Sequence, residues 1–344
     1  MADSAMVPAG VVPQAADQRG VLRAAVIAGP AQAGTLDAPV AGRLWPVLAD
    51  AGMIEQAQAA AGHVDARQRV LTGAVTVMIV LGLCLFRREG TAVVAARATS
   101  KIPRTWVEGT PSAAAVSKAR GRVPAAVMRQ VFTSATQAMP PVGAESYAFG
   151  LLVTAIDGTV FDLADTAEMR SGFATPTNGR FPQARMVAVI VCGIRWVLAA
   201  RIGSSGISEQ ALADDLVGEL RPGTINLADR GFFSMDRWVR AAATGAQMLW
   251  RVKNGARSLP ARLVEVLPDG SALVELVESD AMLSRRRKTS GERGLPRLRP
   301  MLARLVEFTV TSRDRGGRTT TSRYRVLTTL LDHRRHPAVR RRSG

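Results

Sequence analysis

Between Gly150 and Lys253 the chain alternates apolar runs of strand length with segments of helix length, and two of those runs stop at an aspartate. "GLLVTAIDGTVFDL" (Gly150 to Leu163) is interrupted at Asp157-Gly158. "TINLADRGFFSMDRW" (Thr224 to Trp238) is apolar up to Asp229, 72 residues later. Two further strand-like runs, "ARMVAVIVCGI" and "RWVLAARIG", lie between them. So does "SEQALADDLVGELRPG", where Ser208 caps a helix whose Leu212, Leu216 and Leu220 share one face. A second helix, capped by Ser234 and stopped at Gly245, leads to the strand "AQMLWRVK". Strands followed by this alternation predict an α/β layer built on a mixed sheet. Trp196, Trp238 and Trp250 occupy apolar positions and are expected in its core.

Apolar strands that each end in a carboxylate bring those carboxylates to one sheet edge. Taken singly, Asp157-Gly158 is a hairpin turn signal and Asp229-Arg230-Gly231 an ion-paired strand end. Taken together, two close carboxylates repel and are stable only with a bound cation or a shared proton. Hard oxygen ligands select Mg²⁺ or Mn²⁺. Two such ions activate a water or a 3′-hydroxyl and stabilise the leaving oxygen of a phosphodiester.

Charge points to the same class of substrate. The chain carries 45 basic against 28 acidic residues, a formal net charge of +17, and lysine occurs only at 101, 118, 253 and 288. Such an excess implies a polyanion partner, most simply nucleic acid, and the planar arginine fork suits phosphate. In "TPSAAAVSKARGRVPAAVMRQVF", Ser112 caps one helix, Gly121 makes a turn and Pro124 opens the next. Lys118, Arg120, Arg122 and Arg129 cluster on this unit, which reads equally as a DNA-backbone contact or as the solvated edge of a bundle. "SRRRKTSGERGLPRLRP" is expected to be a basic loop, with Arg285, Arg286, Arg287 and Lys288 as phosphate contacts. Arg230 and Lys253, at the ends of two core strands, complete the candidate DNA-binding set.

The rest of the chain frames these features. Residues 1–40 are expected to be a loose tail and not a secretory signal. Residues 41–145 read as a helical domain, closed by the break "QAMPPVGAES". Within it, "VLTGAVTVMIVLGLCLF" (Val70 to Phe86) is 17 residues without a charge, with arginines at 67, 69, 87 and 88. It is expected to be a buried helix over about 67–86, with a single membrane span as the minor alternative. Cys84 and Cys192 are expected to be buried free thiols in a reducing cytosol. Residues 146–255 make the first part of the core and 256–320 a β-rich insertion. That insertion holds the hairpin "ARLVEVL"–"PDG"–"SALVELV" and the strand "LVEFTVT". Residues 321–344 supply a last core strand, "RYRVLTTLL", and a basic tail.

"AIDGTVFDLADTAE", "NLADRGFFS" and "YRVLTTLLD", with the helical stretch "AGRLWPVLADAGMIEQAQ" through "LGLCLFRREG", resemble the DDE transposases of bacterial insertion sequences, specifically the insertion element 4 family. The resemblance covers about residues 40–332. It implies an RNase H-like core with a β-rich insertion behind an all-α N-terminal domain, in a cytoplasmic, nucleoid-associated protein. It also implies a site for Mg²⁺ or Mn²⁺ with Asp157 and Asp229 as the first two acids of a triad. The implied partner is double-stranded DNA, meaning terminal repeats and target, and a homodimer on DNA is implied by the family alone.

The family's third acid, a glutamate in a Tyr-x-x-Arg-x-x-x-Glu pattern after the last core strand, has no counterpart in this sequence. Glu307 is the last glutamate, Asp314 lies in the turn before the last strand, and Asp332 is the final acid. Glu265, Glu275, Glu278 and Glu307 read as surface alternation in hairpin strands. The departure implies a truncated transposase, weakened or inactive, whose sheet has one face uncovered. The alternative is a catalytically dead DNA-binding fragment that occupies transposon ends and inhibits the intact enzyme.

Overall fold

The computed structural model describes residues 51–65, 71–99, 111–255, 259–313 and 317–338. The expected tail, the helix start over 41–50, the arginines at 67 and 69, and Asp314 lie outside the described residues. The chain divides into two compact units between Pro141 and Val142.

The first unit is helical: α1 (Ala51–Ala60), α2 (Gly73–Leu85), α3 (Thr91–Thr99), α4 (Ala113–Arg120) and α5 (Ala125–Gln137). The apolar run forms α2, shorter than expected because Thr72 caps it, its hydroxyl accepting from the Val75 N–H at 3.3 Å. Its 13 residues span about 20 Å, against the roughly 30 Å of a bilayer core. No helix among the described residues is long and apolar enough to cross a membrane. Instead α2 is buried around most of its circumference, packed with Ile54, Val94, Val116 and Val127 of the surrounding helices. Cys84 is a correction: it faces outward and is exposed, because the neighbours of α2 cover its other sides. Cys192 is half-buried, and both thiols are free.

The second unit is built on one mixed sheet of ten strands. They are β1 (Tyr147–Ala148), β2 (Leu151–Asp162), β3 (Gln183–Val191), β4 (Trp196–Ser204), β5 (Thr224–Ala228), β6 (Gln247–Val252), β7 (Ala261–Val266), β8 (Ala272–Leu276), β9 (Met301–Arg313) and β10 (Thr319–Thr328). The order is β4-β3-β2-β5-β6-β10-β9-β8-β7, with β1 paired to the start of β2. β2, β3 and β4 form an antiparallel meander. β5 then joins the other side of β2 in parallel, and β6 joins β5 in parallel. The hairpin strands of the insertion extend this same sheet through β10, which pairs antiparallel with β6.

Among the described residues, four α-helices lie in the connections between strands: α6 (Ala167–Gly172), α7 (Glu209–Asp214), α8 (Met235–Ala243) and α9 (Asp280–Ser290). Two of them, α7 and α8, lie in the crossovers to β5 and β6. Ser208 and Ser234 cap α7 and α8, their hydroxyls accepting from Ala211 and Arg237 at 3.1 and 3.2 Å. The amphipathic helix ends at Asp214 instead of continuing, because the Asp214 carbonyl accepts from the Arg240 guanidinium at 2.8 Å. Leu212, Leu216 and Leu220 nevertheless all reach the core, the last two across a 3₁₀ turn at Val217–Glu219. Trp238 and Trp250 meet edge to face at 5.5 Å, fully buried, whereas Trp196 on edge strand β4 is only half-buried.

The basic segment 280–290 is the largest departure. It is a helix, α9, capped by Ser279 and ended by Gly291 in the left-handed region at φ 75°. Arg286 turns inward to the buried Glu278, with Nε–Oε1 at 2.8 Å, and Arg287 Nε donates to the Leu295 carbonyl at 2.9 Å. Glu278 is therefore no surface residue. Burial disfavours its charge, but the bonds from Arg286 and the Leu298 N–H prevail and hold its carboxyl below the usual range. Arg285 and Lys288 remain exposed.

A buried polar tie crosses the three parallel strands. Asn226 Nδ2 donates to Thr154 Oγ1 at 3.2 Å, and Trp250 Nε1 donates to Asn226 Oδ1 at 3.0 Å. Asn226→Leu strands the indole N–H in the core, while the Thr154 hydroxyl keeps the Ile225 carbonyl at 3.4 Å, so urea unfolding is expected to show a loss of about 1–3 kcal/mol. A change below 0.5 kcal/mol would mean the tie contributes nothing.

Candidate active site

In the parallel pairing of β2 with β5, Ile156 is level with Ala228. Asp157 is the next residue on β2 and Asp229 the first residue past β5, so both follow the last paired position of strands that lie about 4.8 Å apart. Both are exposed. β2 does not end at Asp157 as expected. It runs on to Asp162 because β3 continues to pair with it, Asp157 opposite Ala188. What stops at Asp157 is the parallel pairing, since β5 gives way after Ala228 to the loop leading to α8.

Alternation puts Ile156, Ala228 and Trp250 on the face packed against α7 and α8. The next residues, Asp157, Asp229 and Arg251, belong to the other face. There Val153, Ala155, Leu227 and Leu249 are only half-buried.

The loop carrying Asp229 is held from behind. Arg237, 3% exposed, donates Nε to Asp214 Oδ1 and Nη2 to the Gln210 carbonyl, both at 2.9 Å, and Nη1 to the Phe232 carbonyl. Asp229 Oδ1 accepts from Arg251 Nη1 at 3.1 Å, and the Arg251 guanidinium lies 4.4 Å over the Tyr324 ring. Asp157 Oδ1 accepts from the Gly158 N–H at 2.8 Å. Glu209 lies nearby: a Cβ added to Gly158 would fall 2.0 Å from its Oε1, so only glycine leaves that carboxylate its place.

Among the described residues, no later acid joins the pair. Glu307 sits on β9, three strands from β5, which is about 14 Å across the ladder. Burial disfavours its charge, but Arg323 and Arg325 outweigh this and hold its carboxyl low; Arg325 Nε donates to Oε1 at 2.8 Å. Asp332 follows the end of β10, which pairs Thr328 with Leu249 toward the start of β6, at the opposite sheet edge. Its carboxylate accepts from the Arg334 and Arg335 N–H groups, which lower its pKa. Among the described residues, no three His, Cys, Asp or Glu side chains gather into a metal cluster. The donor set at Asp157 and Asp229, two exposed hard carboxylates, suits Mg²⁺ or Mn²⁺.

Lys118, Arg120, Arg122 and Arg129 are exposed on the α4–α5 unit, Arg122 also donating to the Leu71 carbonyl at 3.2 Å. Arg230 and Lys253 are exposed at the strand ends. Arg286 and Arg287, expected as phosphate contacts, are half-buried and donate to Glu278 and the Leu295 carbonyl. Arg251 and Arg237 were absent from the sequence-based candidates. The alternation in "QMLWRV", which sends Arg251 away from Trp250, is the signal that identifies the first.

Residues 43–133 match the family model described as insertion element 4 transposase N-terminal. Over 236 residues the chain is 28% identical to the transposase InsG for insertion sequence element IS4 of Escherichia coli (strain K12), covering 67% of this chain and 52% of that protein. These matches support an insertion element 4 family transposase. Another member of the comparison, InsZ of the same organism, is 30% identical over 145 residues, 40% of this chain and 48% of its own. The chain thus spans about half the length of the curated relatives it matches. The cryo-EM structure of the piggyBac transposase synaptic complex with hairpin DNA aligns with 85% of this chain and 61% of its own at 9% identity. Its TM-score of 0.37 is too low to bear on the fold.

Proposed function

We propose that this chain is a DNA transposase of the insertion element 4 family that cleaves and transfers strands at insertion-sequence ends, with Asp157 and Asp229 as the ligands of Mg²⁺ or Mn²⁺. The observation that supports the reading is the register Ile156–Ala228, because Asp157 follows the first on β2 and Asp229 follows the second just past the end of β5. The strand order β4-β3-β2-β5-β6, an antiparallel meander followed by two parallel strands, supports an RNase H-like core. Bound divalent ions would supply Lewis-acid stabilisation of the attacking and leaving oxygens. The residues of this chain do the rest. Asp157 and Asp229 orient that charge at the sheet edge, and Arg237 fixes the loop behind Asp229. Exposed Lys118, Arg120, Arg122, Arg129, Arg230, Lys253, Arg285 and Lys288 hold the DNA backbone.

Among the described residues no third acid gathers with the pair into a metal cluster, and this favours a second reading, an inactive fragment that occupies transposon ends. A cleavage assay on end-bearing DNA with Mg²⁺ or Mn²⁺ separates them. Nicking and joining specific to the ends support the transposase. DNA retention without nicking supports the fragment, and nicking without end preference or joining indicates a plain nuclease.

A further inference from the structure

We propose that Arg251 is an exchangeable counter-ion, bound to Asp229 in the free chain and passing to a DNA phosphate when a divalent cation takes that carboxylate. This rests on the metal site proposed above. Among the described ion pairs, Arg251 is the cation that reaches either aspartate, with Nη1 to Asp229 Oδ1 at 3.1 Å. A guanidinium and a divalent ion compete for the same oxygens, so occupancy by one opposes the other.

Two features make Arg251 suited to leave without being lost. Its guanidinium rests 4.4 Å over the face of Tyr324, which in turn stacks on Phe308 at 5.6 Å between centroids. That shelf keeps the cation at the sheet edge when Asp229 is withdrawn. Its Nε is shut away from solvent with no acceptor, so the present pose leaves one donor unmet. Unmet buried donors are costly, and a pose in which the fork finds two oxygens is favoured once they are offered. A phosphate beside the aspartates offers them, in the bidentate geometry that arginine matches and lysine does not. The side chain is 30% exposed and the Asp229 side chain 58%, so both are open to an incoming strand.

The test measures two affinities on the full chain: Mn²⁺ binding without DNA, by titration followed by electron paramagnetic resonance, and retention of end-bearing duplex without metal. Arg251→Gln is expected to raise Mn²⁺ affinity about two- to fivefold, the range of an exposed ion pair, and to weaken DNA binding. The salt dependence of DNA binding should lose about one phosphate contact. Arg251→Lys keeps the charge, so its Mn²⁺ affinity should stay near wild type while DNA binding falls. Loss of both affinities in Arg251→Gln would mean a structural role and overturn the exchange. So would equal Mn²⁺ affinity in wild type and Arg251→Gln when Asp157→Asn removes Mn²⁺ binding. Absence of Mn²⁺ binding from wild type and Arg251→Gln alike, or binding indifferent to Asp157→Asn, overturns the metal site itself and the exchange with it.

Discussion

Asp157→Asn is expected to abolish Mn²⁺ binding and to lower DNA-end cleavage by roughly 10³-fold or more, while leaving the melting temperature unchanged or slightly raised. A 10³-fold loss corresponds to about 4 kcal/mol of transition-state stabilisation, the scale on which a lost metal ligand acts. The effect on stability has the opposite sign for a physical reason. Asp157 is exposed, and the hydrogen bond recorded for its carboxylate comes from the adjacent Gly158 N–H. Removing its charge costs no packing and relieves repulsion from Asp229. Asp229→Asn should remove cleavage as fully but cost slightly more stability, because it strands Arg251 from an exposed ion pair worth at most about 1 kcal/mol. Cleavage that survives in Asp157→Asn would remove the pair from the chemistry. A fall in Tm of many degrees would show that the carboxylate serves the fold.

Much of the scaffold around that pair is written locally. Serines at 112, 208 and 234 cap the helices they introduce, because an N-cap is a property of a few adjacent residues. The strands from β2 to β6 follow from their apolar runs. Register is different: nothing near Asp157 says that Ile156 will meet Ala228, since the pairing is fixed by tertiary contacts such as the Thr154–Asn226–Trp250 tie. Long-range charge partners were illegible for the same reason. α9 read as a loop because its arginines hid its cap and its left-handed stop, and because Glu278, the partner that draws Arg286 inward, precedes the segment. Asp214, recruited by Arg237 and Arg240, shortened a helix whose leucine spacing alone predicts a longer one.

Arg304→Ala is expected to lower the stability of the second unit by about 3–5 kcal/mol, the cost of breaking a buried ion pair, and its Tm by roughly 10 °C. Arg304 is 1% exposed on β9. Its Nε donates to Ser271 Oγ at 2.7 Å, one Nη to the His336 carbonyl at 2.6 Å, and the other pairs with Asp269. Asp269 also accepts from the Ala338 N–H at 2.9 Å, so one guanidinium and one carboxylate hold the β7–β8 turn and the segment after β10 together. The His336 ring meets Phe149 edge to face at 4.9 Å at the β1–β2 turn. Burial works against the charge of Asp269, but the bonds from Ser271 and Ala338 and the field of Arg304 outweigh it, holding its carboxyl down at about 2. That lies below the roughly 3.9 of an unfolded aspartate, so the stabilisation is present above about pH 4 and is lost as pH falls through about 2. Asp269→Asn should therefore cost about 2 kcal/mol at pH 7, with the gap to wild type closing as pH drops toward 2. The double variant should lose less than the sum of the singles, because both act on one network. Thermal melts from pH 2 to 7, with proteolysis after β10 as a second readout, decide the matter. An Arg304→Ala chain within 1 kcal/mol of wild type, or an Asp269→Asn gap that does not narrow in acid, would show that the network does not hold this end of the sheet.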